Sequence, residues 1–334
     1  MRILHLAIAS AFVLLGPPAF GQQATEESPA APEAPVPEPA PSPETPAPEN
    51  GAASWRRAYE RAMRSRDLDK AFAIASGPAK EGDAEAQKAL ARAYYSGRGT
   101  TQDYAQAADW YRKAADQGDA EAQTSLAYMH RTGQGLPKNS RKAAALLRQA
   151  ADQGLPRAQS GLADLYAKGD GVRRDDAQAA LWYRKAAEQG WRQAQYELAR
   201  LYEKGRGVPR SDAQAAEWYR KAAEQGHTEA QTALGALYQS GHGVPRDYEE
   251  ALTWYRKAAA KNDAAAQYSI GALYEAGLGV PQDLSAARDW YAKAAAQGDH
   301  RAKEQLAKLD REQSQSGTPK AEQQQKEEDQ PSQE

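Results

Sequence analysis

The chain of 334 residues is long enough for two or three ordinary domains, but its composition argues against a conventional core. The hydrophobic fraction of 41% is carried largely by alanine, with only three phenylalanines, and such small residues suit close contact between helices. The formal net charge is −2, and basic and acidic residues alternate through the middle of the chain, which disfavours nucleic-acid binding because phosphates require a clustered basic surface.

Residues 1–21 are predicted to be a secretory signal peptide. Arg2 supplies a positive charge, residues 3–15 form an apolar stretch, and small residues precede a cleavage site before Gln22. A cleaved signal is favoured over a membrane anchor because a spanning helix needs about 20 apolar residues. The chain contains no cysteine, which excludes lipid attachment after the signal and any disulfide. We therefore expect a periplasmic or secreted protein without stable membrane insertion after cleavage.

Two further segments are predicted to be disordered. Residues 22–53 consist almost entirely of Pro, Ala, Glu, Ser and Thr, and the frequent prolines predict an extended linker. Residues 312–334 form a polar tail rich in Gln, Glu, Lys and Ser, with too few apolar groups to offset the entropy of ordering. The folded part of the chain is expected between these two segments.

Three sequence markers recur at a spacing of 36 residues, or a multiple of it, through the middle of the chain. The Trp-Tyr dipeptide begins at Trp110, Trp182, Trp218, Trp254 and Trp290. A Gly-x-Gly marker begins at Gly97, Gly133, Gly169, Gly205, Gly241 and Gly277. A Gln-Gly marker begins at Gln117, Gln153, Gln189, Gln225 and Gln297, with Lys261 as an in-register variant. Because no insertion breaks this register, the markers define a tandem repeat.

Each repeat is predicted to contain two helices. In the repeat over residues 227–262, Ala230, Leu234 and Leu237 recur at helical spacing and define one apolar face. Gly241 is expected to end this helix, and Asp247 to cap the start of a second one. Two helices cannot bury their apolar faces alone, so neighbouring repeats must stack. The pattern predicts an all-α solenoid of helix-turn-helix repeats.

The set of Ala-x-Ala-Gln, Leu-Tyr, Gly-x-Gly-Val-Pro, Trp-Tyr-x-Lys-Ala-Ala and Gln-Gly motifs resembles the Sel-1-like repeat (SLR) family, relatives of the tetratricopeptide repeats. The resemblance implies a right-handed α/α superhelix whose first helices line the concave side. It also implies a scaffold or adaptor role, and many bacterial members of the family are exported. We expect six repeats over residues 83–298, a degenerate capping repeat over 54–82 and a C-terminal capping helix over 299–311.

No catalytic, metal or cofactor site is predicted. The Trp-Tyr pairs lie on the same face as Ala and Leu, which indicates a core role, and the Gly-x-Gly loops follow no strand, so they are interpreted as turns between helices. Some SLR proteins with cysteine-pinned repeats are associated with penicillin binding and β-lactam hydrolysis. This chain has neither the cysteines nor a Ser-x-x-Lys tetrad. Its histidines lack a metal-binding spacing.

A stripe of variable first-helix positions is the candidate binding surface. Its positions lie three, four and seven residues apart, away from the apolar face. The stripe mixes Tyr with Arg, two residue types that are enriched at binding hot spots. A solvated helix face is the alternative, because it would vary between repeats as well. The candidate partner-binding residues are Tyr128, Arg131, Tyr196, Arg200, Glu203 and Tyr268.

Two departures from the repeat are noted. Trp191 begins a repeat where others carry Asp, Leu or His, and we expect it to join two repeats rather than to serve as an exposed anchor. The repeat over residues 119–154 lacks Trp-Tyr and carries Leu146 and Leu147 instead. Two leucines fill less volume than two aromatic residues, so this repeat is predicted to be less rigid than the other repeats of the superhelix.

The leading hypothesis is an exported, non-catalytic adaptor that binds a protein or peptide partner in its concave groove, in envelope regulation or assembly. A second hypothesis is a cell-wall or β-lactam-related enzyme, or an accessory protein acting on peptidoglycan. A third is a structural envelope spacer. The sequence leaves all three open, together with the identity of the partner and the oligomeric state.

Overall fold

The computed structural model describes residues 51–316, with side chains over residues 54–312, and this part of the chain contains fifteen α-helices and no strand. The predicted signal peptide, most of the linker and most of the polar tail lie outside the described residues. The helices are α1 Gly51–Arg64, α2 Leu68–Lys80, α3 Ala84–Ser96, α4 Tyr104–Asp116, α5 Ala120–Thr132, α6 Ser140–Asp152, α7 Pro156–Lys168, α8 Asp176–Glu188, α9 Arg192–Lys204, α10 Asp212–Glu224, α11 Thr228–Ser240, α12 Tyr248–Ala259, α13 Ala264–Ala276, α14 Leu284–Ala296 and α15 His300–Ser316.

Each helix packs against the helices before and after it along the chain, so helix pairs stack in sequence order. The prediction of an all-α solenoid of helix-turn-helix repeats is confirmed. Helix α1 begins at Gly51, inside the predicted linker, and α15 continues to Ser316, inside the predicted tail. Within residues 51–316, no helix combines the length and the apolarity needed to cross a membrane.

The helix ends follow the predicted capping pattern. At the start of α4, the Asp103 carboxylate accepts hydrogen bonds from the backbone N–H groups of Ala105 and Gln106 at 2.9 and 3.0 Å. These bonds satisfy backbone donors that have no partner inside the helix. The first glycine of each Gly-x-Gly loop ends the first helix of its pair in a left-handed conformation, as at Gly133 with φ of 80°.

The second glycine of each loop lies against the preceding helix pair. Gly135 has φ of 70°, and a Cβ atom added there would lie 2.1 Å from the carbonyl oxygen of Tyr104, the first residue of α4. Gly171 and Gly207 stand in the same relation to Ser140 in α6 and Asp176 in α8. No side chain fits in this space, so the close stacking of successive pairs requires glycine here.

A second element that links the pairs is a ladder of glutamines. In five repeats the buried glutamine near the start of the first helix donates to an alanine carbonyl at the end of the preceding helix; Gln123 Nε2, for example, donates to the Ala115 carbonyl at 3.2 Å. In the sixth, Gln267 donates to the Asn262 Oδ1 atom. The Oε1 atom of the buried glutamine then accepts from a glutamine 30 residues later. The complete rungs are Gln117 to Gln87, Gln153 to Gln123, Gln189 to Gln159, Gln225 to Gln195 and Gln297 to Gln267. The Ala-x-Ala-Gln and Gln-Gly markers are thus two halves of one hydrogen-bonded structure.

The Trp-Tyr pairs fill the core, as predicted. The tyrosines of the pairs are buried: Tyr111, Tyr183, Tyr219, Tyr255 and Tyr291. Each tryptophan is covered by the lysine three residues later, and in α12 the Lys257 Nζ atom lies 3.7 Å from the centre of the Trp254 ring. The ammonium group thus lies over the face of the indole in a cation–π contact. The Trp-Tyr-x-Lys motif therefore serves packing.

Candidate partner-binding groove

A groove runs across the first helices of successive pairs, from α3 to α9. It consists of two cavities, one of about 750 Å³ and one of about 570 Å³. Both cavities are lined by Thr124, Tyr128, Arg157 and Trp191, so they adjoin and form a single surface. We call this surface the groove.

The larger cavity has its floor where the Trp-Tyr pair is missing. Leu147 lines it and occupies the position held by a buried tyrosine in the other five repeats. Leu147 lies beside two small residues of the same floor, Ala127 and Gly161. The corresponding Tyr111 lines the smaller cavity, which shows that this position faces the groove. The larger cavity is deep because Leu147 stands where the other repeats have the larger ring of a tyrosine.

Two of the predicted binding residues, Tyr128 and Arg131, lie together in this cavity. Both project from α5, where they are one helical turn apart. Tyr128 is 41% exposed, and the Arg131 guanidinium lies 5.6 Å from the centre of its ring. This pair presents an aromatic face and a positive charge to the groove.

Trp191 is 38% exposed and lines both cavities, so its indole forms part of the groove surface. The expectation that this residue is not exposed is wrong, whereas its role in joining two repeats stays a prediction. Trp191 is the N-cap residue of α9 and makes no side-chain capping bond, because indole offers no acceptor. Leu155, the N-cap of α7, lacks such a bond for the same reason and lines the smaller cavity. Two consecutive repeats thus carry an apolar residue in place of a cap at the groove.

Basic residues dominate the charge of the groove. Arg92 pairs with Glu121 at 2.9 Å, and the Asp164 carboxylate accepts a hydrogen bond from the Tyr183 hydroxyl. Arg131 and Arg157 form no ion pair with any carboxylate of residues 54–312. The groove therefore carries positive charge that the described part of the chain does not neutralise.

The predicted residues Tyr196 and Arg200 lie in α9 and are engaged with other side chains of the protein. The Tyr196 ring stacks on His227, with ring centres 4.5 Å apart and planes at 20°. Arg200 lies over Tyr196 and pairs with Glu197 at 3.1 Å. Burial raises the pKa of Glu197 more than Arg200 lowers it. Because of these contacts, Tyr196 and Arg200 are less available to a binding partner than Tyr128 and Arg131.

Glu203 and Tyr268 also make contacts within the protein. The Tyr219 hydroxyl donates to Glu203 at 2.8 Å, and the same bond recurs between Tyr291 and Glu275 in a later repeat. Tyr268 packs against Tyr291 with ring centres 5.5 Å apart, and Arg301 of α15 lies over its ring. The six predicted residues thus fall into separate groups, and the structure brings Tyr128 and Arg131 into the groove. Their role as a binding surface stays a prediction.

Four titratable side chains in the helices near the groove have shifted pKa values. Burial and the neighbouring carboxylates of Asp164 and Glu203 raise the pKa of Tyr183 and Tyr219 far above the ordinary tyrosine range. Burial lowers the pKa of His130 and His227. Within the described residues, no group of three or more His, Cys, Asp or Glu side chains is arranged to hold a metal ion.

A regular stack of helix pairs, with loops and glutamine rungs that repeat from pair to pair, defines an α-helical repeat protein with an open groove. The Sel1 repeat family model matches six consecutive segments, over residues 84–119, 120–155, 156–191, 192–227, 228–263 and 264–299. The chain belongs to the Sel1 repeat family, whose members generally mediate protein–protein interaction.

Two solved structures support this assignment. A protective antigen present in uropathogenic Escherichia coli strains, which displays an SLR fold, is 37% identical over 71% of this chain, with a TM-score of 0.69. The match covers 51% of that antigen, so this chain spans about half its length. A Sel1 repeat protein from Oxalobacter formigenes is 29% identical and covers 72% of this chain and 96% of its own, with a TM-score of 0.64. No curated protein matches this chain.

Proposed function

We propose that this protein is a non-catalytic scaffold that binds a protein or peptide partner in the groove. The observation that carries the proposal is the position of Leu147. Five repeats place a tyrosine at this site, and the repeat that does not is the one that holds the larger cavity. The fold accepts an aromatic ring at this position elsewhere, so the cavity is a feature that packing does not require.

The residues around the cavity support a binding role. Tyr128 and Trp191 are exposed aromatic side chains in one concave surface, and arginines accompany them. Trp, Tyr and Arg are the residue types that contribute most to protein interfaces when they are enclosed by a partner. Family membership points in the same direction.

The protein acts outside the cytoplasm, as a periplasmic or secreted adaptor. Support for export comes from the sequence of residues 1–21, which has the charged start, the short apolar stretch and the small residues of a cleaved signal. Mass spectrometry of the protein purified from expressing cells tests this directly. The expected N-terminal residue is Gln22; a chain that starts at Met1 would contradict export through this signal.

Site-specific crosslinking in cells tests the binding role. A photoreactive amino acid at position 128 should trap a defined partner, whereas the same group at Leu181, an exposed leucine of α8 outside both cavities, should not. The Leu147→Tyr variant should fold, because other repeats carry this tyrosine, and should lose the crosslink from position 128 since the ring fills the cavity. Equal crosslinking from positions 128 and 181, or full crosslinking in Leu147→Tyr, would contradict the proposal.

A further inference from the structure

We infer that the partner of the groove is an acidic peptide segment that places a large apolar side chain against Trp191. This inference rests on the proposed function and names the chemistry of the partner. Two independent observations carry it: the unneutralised arginines of the groove, and the apolar residues that two successive helices present there in place of caps.

The charge of the groove is a local property. The whole chain has a net charge of −2, yet the arginines that line the two cavities outnumber the carboxylates. These arginines are Arg92, Arg131, Arg157 and Arg192, and the carboxylates are Glu121 and Asp164. Arg92 pairs with Glu121, Arg192 donates to the Gln225 carbonyl at 3.5 Å, and the Asp164 carboxylate accepts a hydrogen bond from the Tyr183 hydroxyl. Arg131 and Arg157 remain to pair with carboxylates supplied from outside, which guanidinium groups bind in a bidentate manner.

The apolar part of the groove comes at a cost to the fold. Asp83, Asp119 and Asp263 cap the first helices of their repeats through the side chain, as Asp119 does for the Ala122 N–H at 2.8 Å. Trp191 and Leu155 occupy the same N-cap position but form no side-chain capping bond, and both line the smaller cavity. An exposed indole beside a leucine and Tyr128 forms a surface that a large apolar side chain of a partner would bury.

A peptide fits these features better than a nucleic acid does. Aromatic rings and arginines also bind single-stranded nucleic acids, but those proteins use a continuous basic channel along the phosphate backbone. Here Arg131 and Arg157 lie at a surface that also contains Tyr128, Leu155 and Trp191, and they do not form a continuous basic channel. Two isolated arginines at an apolar surface match a peptide with a few carboxylates around one apolar residue.

The test measures fluorescence anisotropy with the purified protein and three labelled peptides of equal length. Each contains one phenylalanine, flanked by glutamates, by glutamines or by lysines. The glutamate peptide should bind roughly tenfold more tightly than the glutamine peptide, and the lysine peptide should bind most weakly. Added salt should weaken binding of the glutamate peptide and reduce its advantage over the glutamine peptide.

Matched variants separate charge from apolar contact. Arg157→Glu should abolish the preference for glutamate, whereas Arg173→Glu, an equal charge change at an exposed loop residue outside the cavities, should preserve it. Trp191→Ala should weaken the glutamate and glutamine peptides alike by roughly tenfold. Leu181→Ala, which also removes an exposed apolar side chain, should leave binding unchanged. Thermal unfolding of all variants verifies that each is folded.

Three results would overturn the inference. These are tighter binding of the glutamine or lysine peptide, binding of none of the three peptides, and tighter binding of a single-stranded oligonucleotide in the same assay. In each of these cases a partner that is trapped from position 128 and lost in Leu147→Tyr would still uphold the proposed function. Loss of that crosslinking result would refute the proposed function independently of the peptide measurements.

Discussion

Gln153 donates a hydrogen bond from its Nε2 atom to the Oε1 atom of Gln123, 3.0 Å away, and so joins the end of α6 to the start of α5. The same bond recurs in four other repeats and is broken in one. In that repeat Lys261 stands where the other five have glutamine, and its Nζ atom donates to the Gly226 carbonyl. The buried Oε1 atom of Gln231 is left without a partner among the described residues.

The Lys261→Gln substitution is expected to stabilise the protein. It supplies the missing donor to Gln231, and satisfying a buried acceptor contributes about 1 kcal/mol. The reverse change at an intact rung, Gln225→Lys, should destabilise by a similar amount, since it leaves the Oε1 atom of Gln195 without a donor. Urea unfolding, together with hydrogen exchange of α11 and α12, measures both effects. An unchanged or lower stability for Lys261→Gln would show that the rung contributes nothing there.

The Gly135→Ala substitution should cost far more than Gly154→Ala. Both glycines have positive φ, so alanine at either site costs about 1–2 kcal/mol in backbone strain. The added Cβ at Gly154 meets nothing, whereas at Gly135 it would lie 2.1 Å from the Tyr104 carbonyl oxygen. The clash must separate two helix pairs, and we expect a loss above about 4 kcal/mol. Thermal unfolding of the two variants side by side provides the measurement, and equal losses would disprove the steric argument.

His227 is expected to make stability depend on pH. Its Nδ1 atom accepts from the Ala230 N–H at 3.4 Å, and burial lowers its pKa more than Glu229 raises it. The unfolded chain, with a histidine pKa of about 6.5, binds more protons than the folded protein as the pH falls. The stability that neutral His227 contributes is therefore complete above about pH 6.5 and decreases as the pH falls from there to its lowered pKa.

The His227→Asp variant is the matched control for this pH effect. It supplies the capping residue that other repeats use, and it does not titrate as a histidine does. Its unfolding temperature should fall less than that of the unmodified protein between about pH 7 and pH 5. Burial also lowers the pKa of His130, which is present in both proteins, so the difference between them isolates His227. Identical pH profiles would rule out a contribution from His227.

The Trp191→Asp substitution should raise stability and abolish binding. Aspartate can accept from the backbone N–H of Ala194, which Trp191 cannot, and a restored N-cap contributes about 1 kcal/mol. The same change removes the apolar surface of the groove and adds a negative charge that repels an acidic peptide. Asp103→Ala, which removes an existing N-cap, measures how much one cap contributes to the free energy of unfolding of this protein. A lower unfolding temperature for Trp191→Asp would mean that the indole stabilises the stack of repeats.

The α5–α6 pair is expected to exchange its amide hydrogens faster than the later pairs. Tyr183 and Tyr219 donate their hydroxyls to Asp164 and Glu203 of first helices, and Leu147 has no hydroxyl to form such a bond. In the same pair, the buried Nδ1 atom of His130 has no hydrogen-bond partner among the described residues. Hydrogen exchange followed by mass spectrometry tests this, and uniform protection along the array would contradict it.

Features that depend on one repeat could be predicted from the sequence. The register of Trp-Tyr, the turns at Gly133 and its equivalents, and the aspartate caps each follow from local spacing and backbone conformation. The assignment of Trp-Tyr to the core followed as well, because comparison between repeats separated constant positions from variable ones. These features depend on residues close together in the sequence, and the array of repeats shows each of them several times.

Features that join different repeats were missed. The glutamine rung between Gln153 and Gln123 connects two markers that the sequence shows as separate motifs. The groove is lined by Tyr128 and Leu147 from one repeat and by Trp191 from another, and a list of variable positions does not reveal which side chains converge. One signal was available: an apolar residue in place of a capping aspartate at Leu155 and Trp191 loses a bond, which indicates another role.

The contact at the second glycine of each loop gives the solenoid a direction of assembly. Gly135 rests on Tyr104, a residue that the ribosome has already added when the loop is made. A growing chain can therefore dock each new pair on the one before it, without waiting for residues still to be synthesised. Deleting a pair from the front removes the surface that the next loop contacts, whereas the later pairs keep their contacts with one another. The pairs can thus form one after another in the order in which they are synthesised.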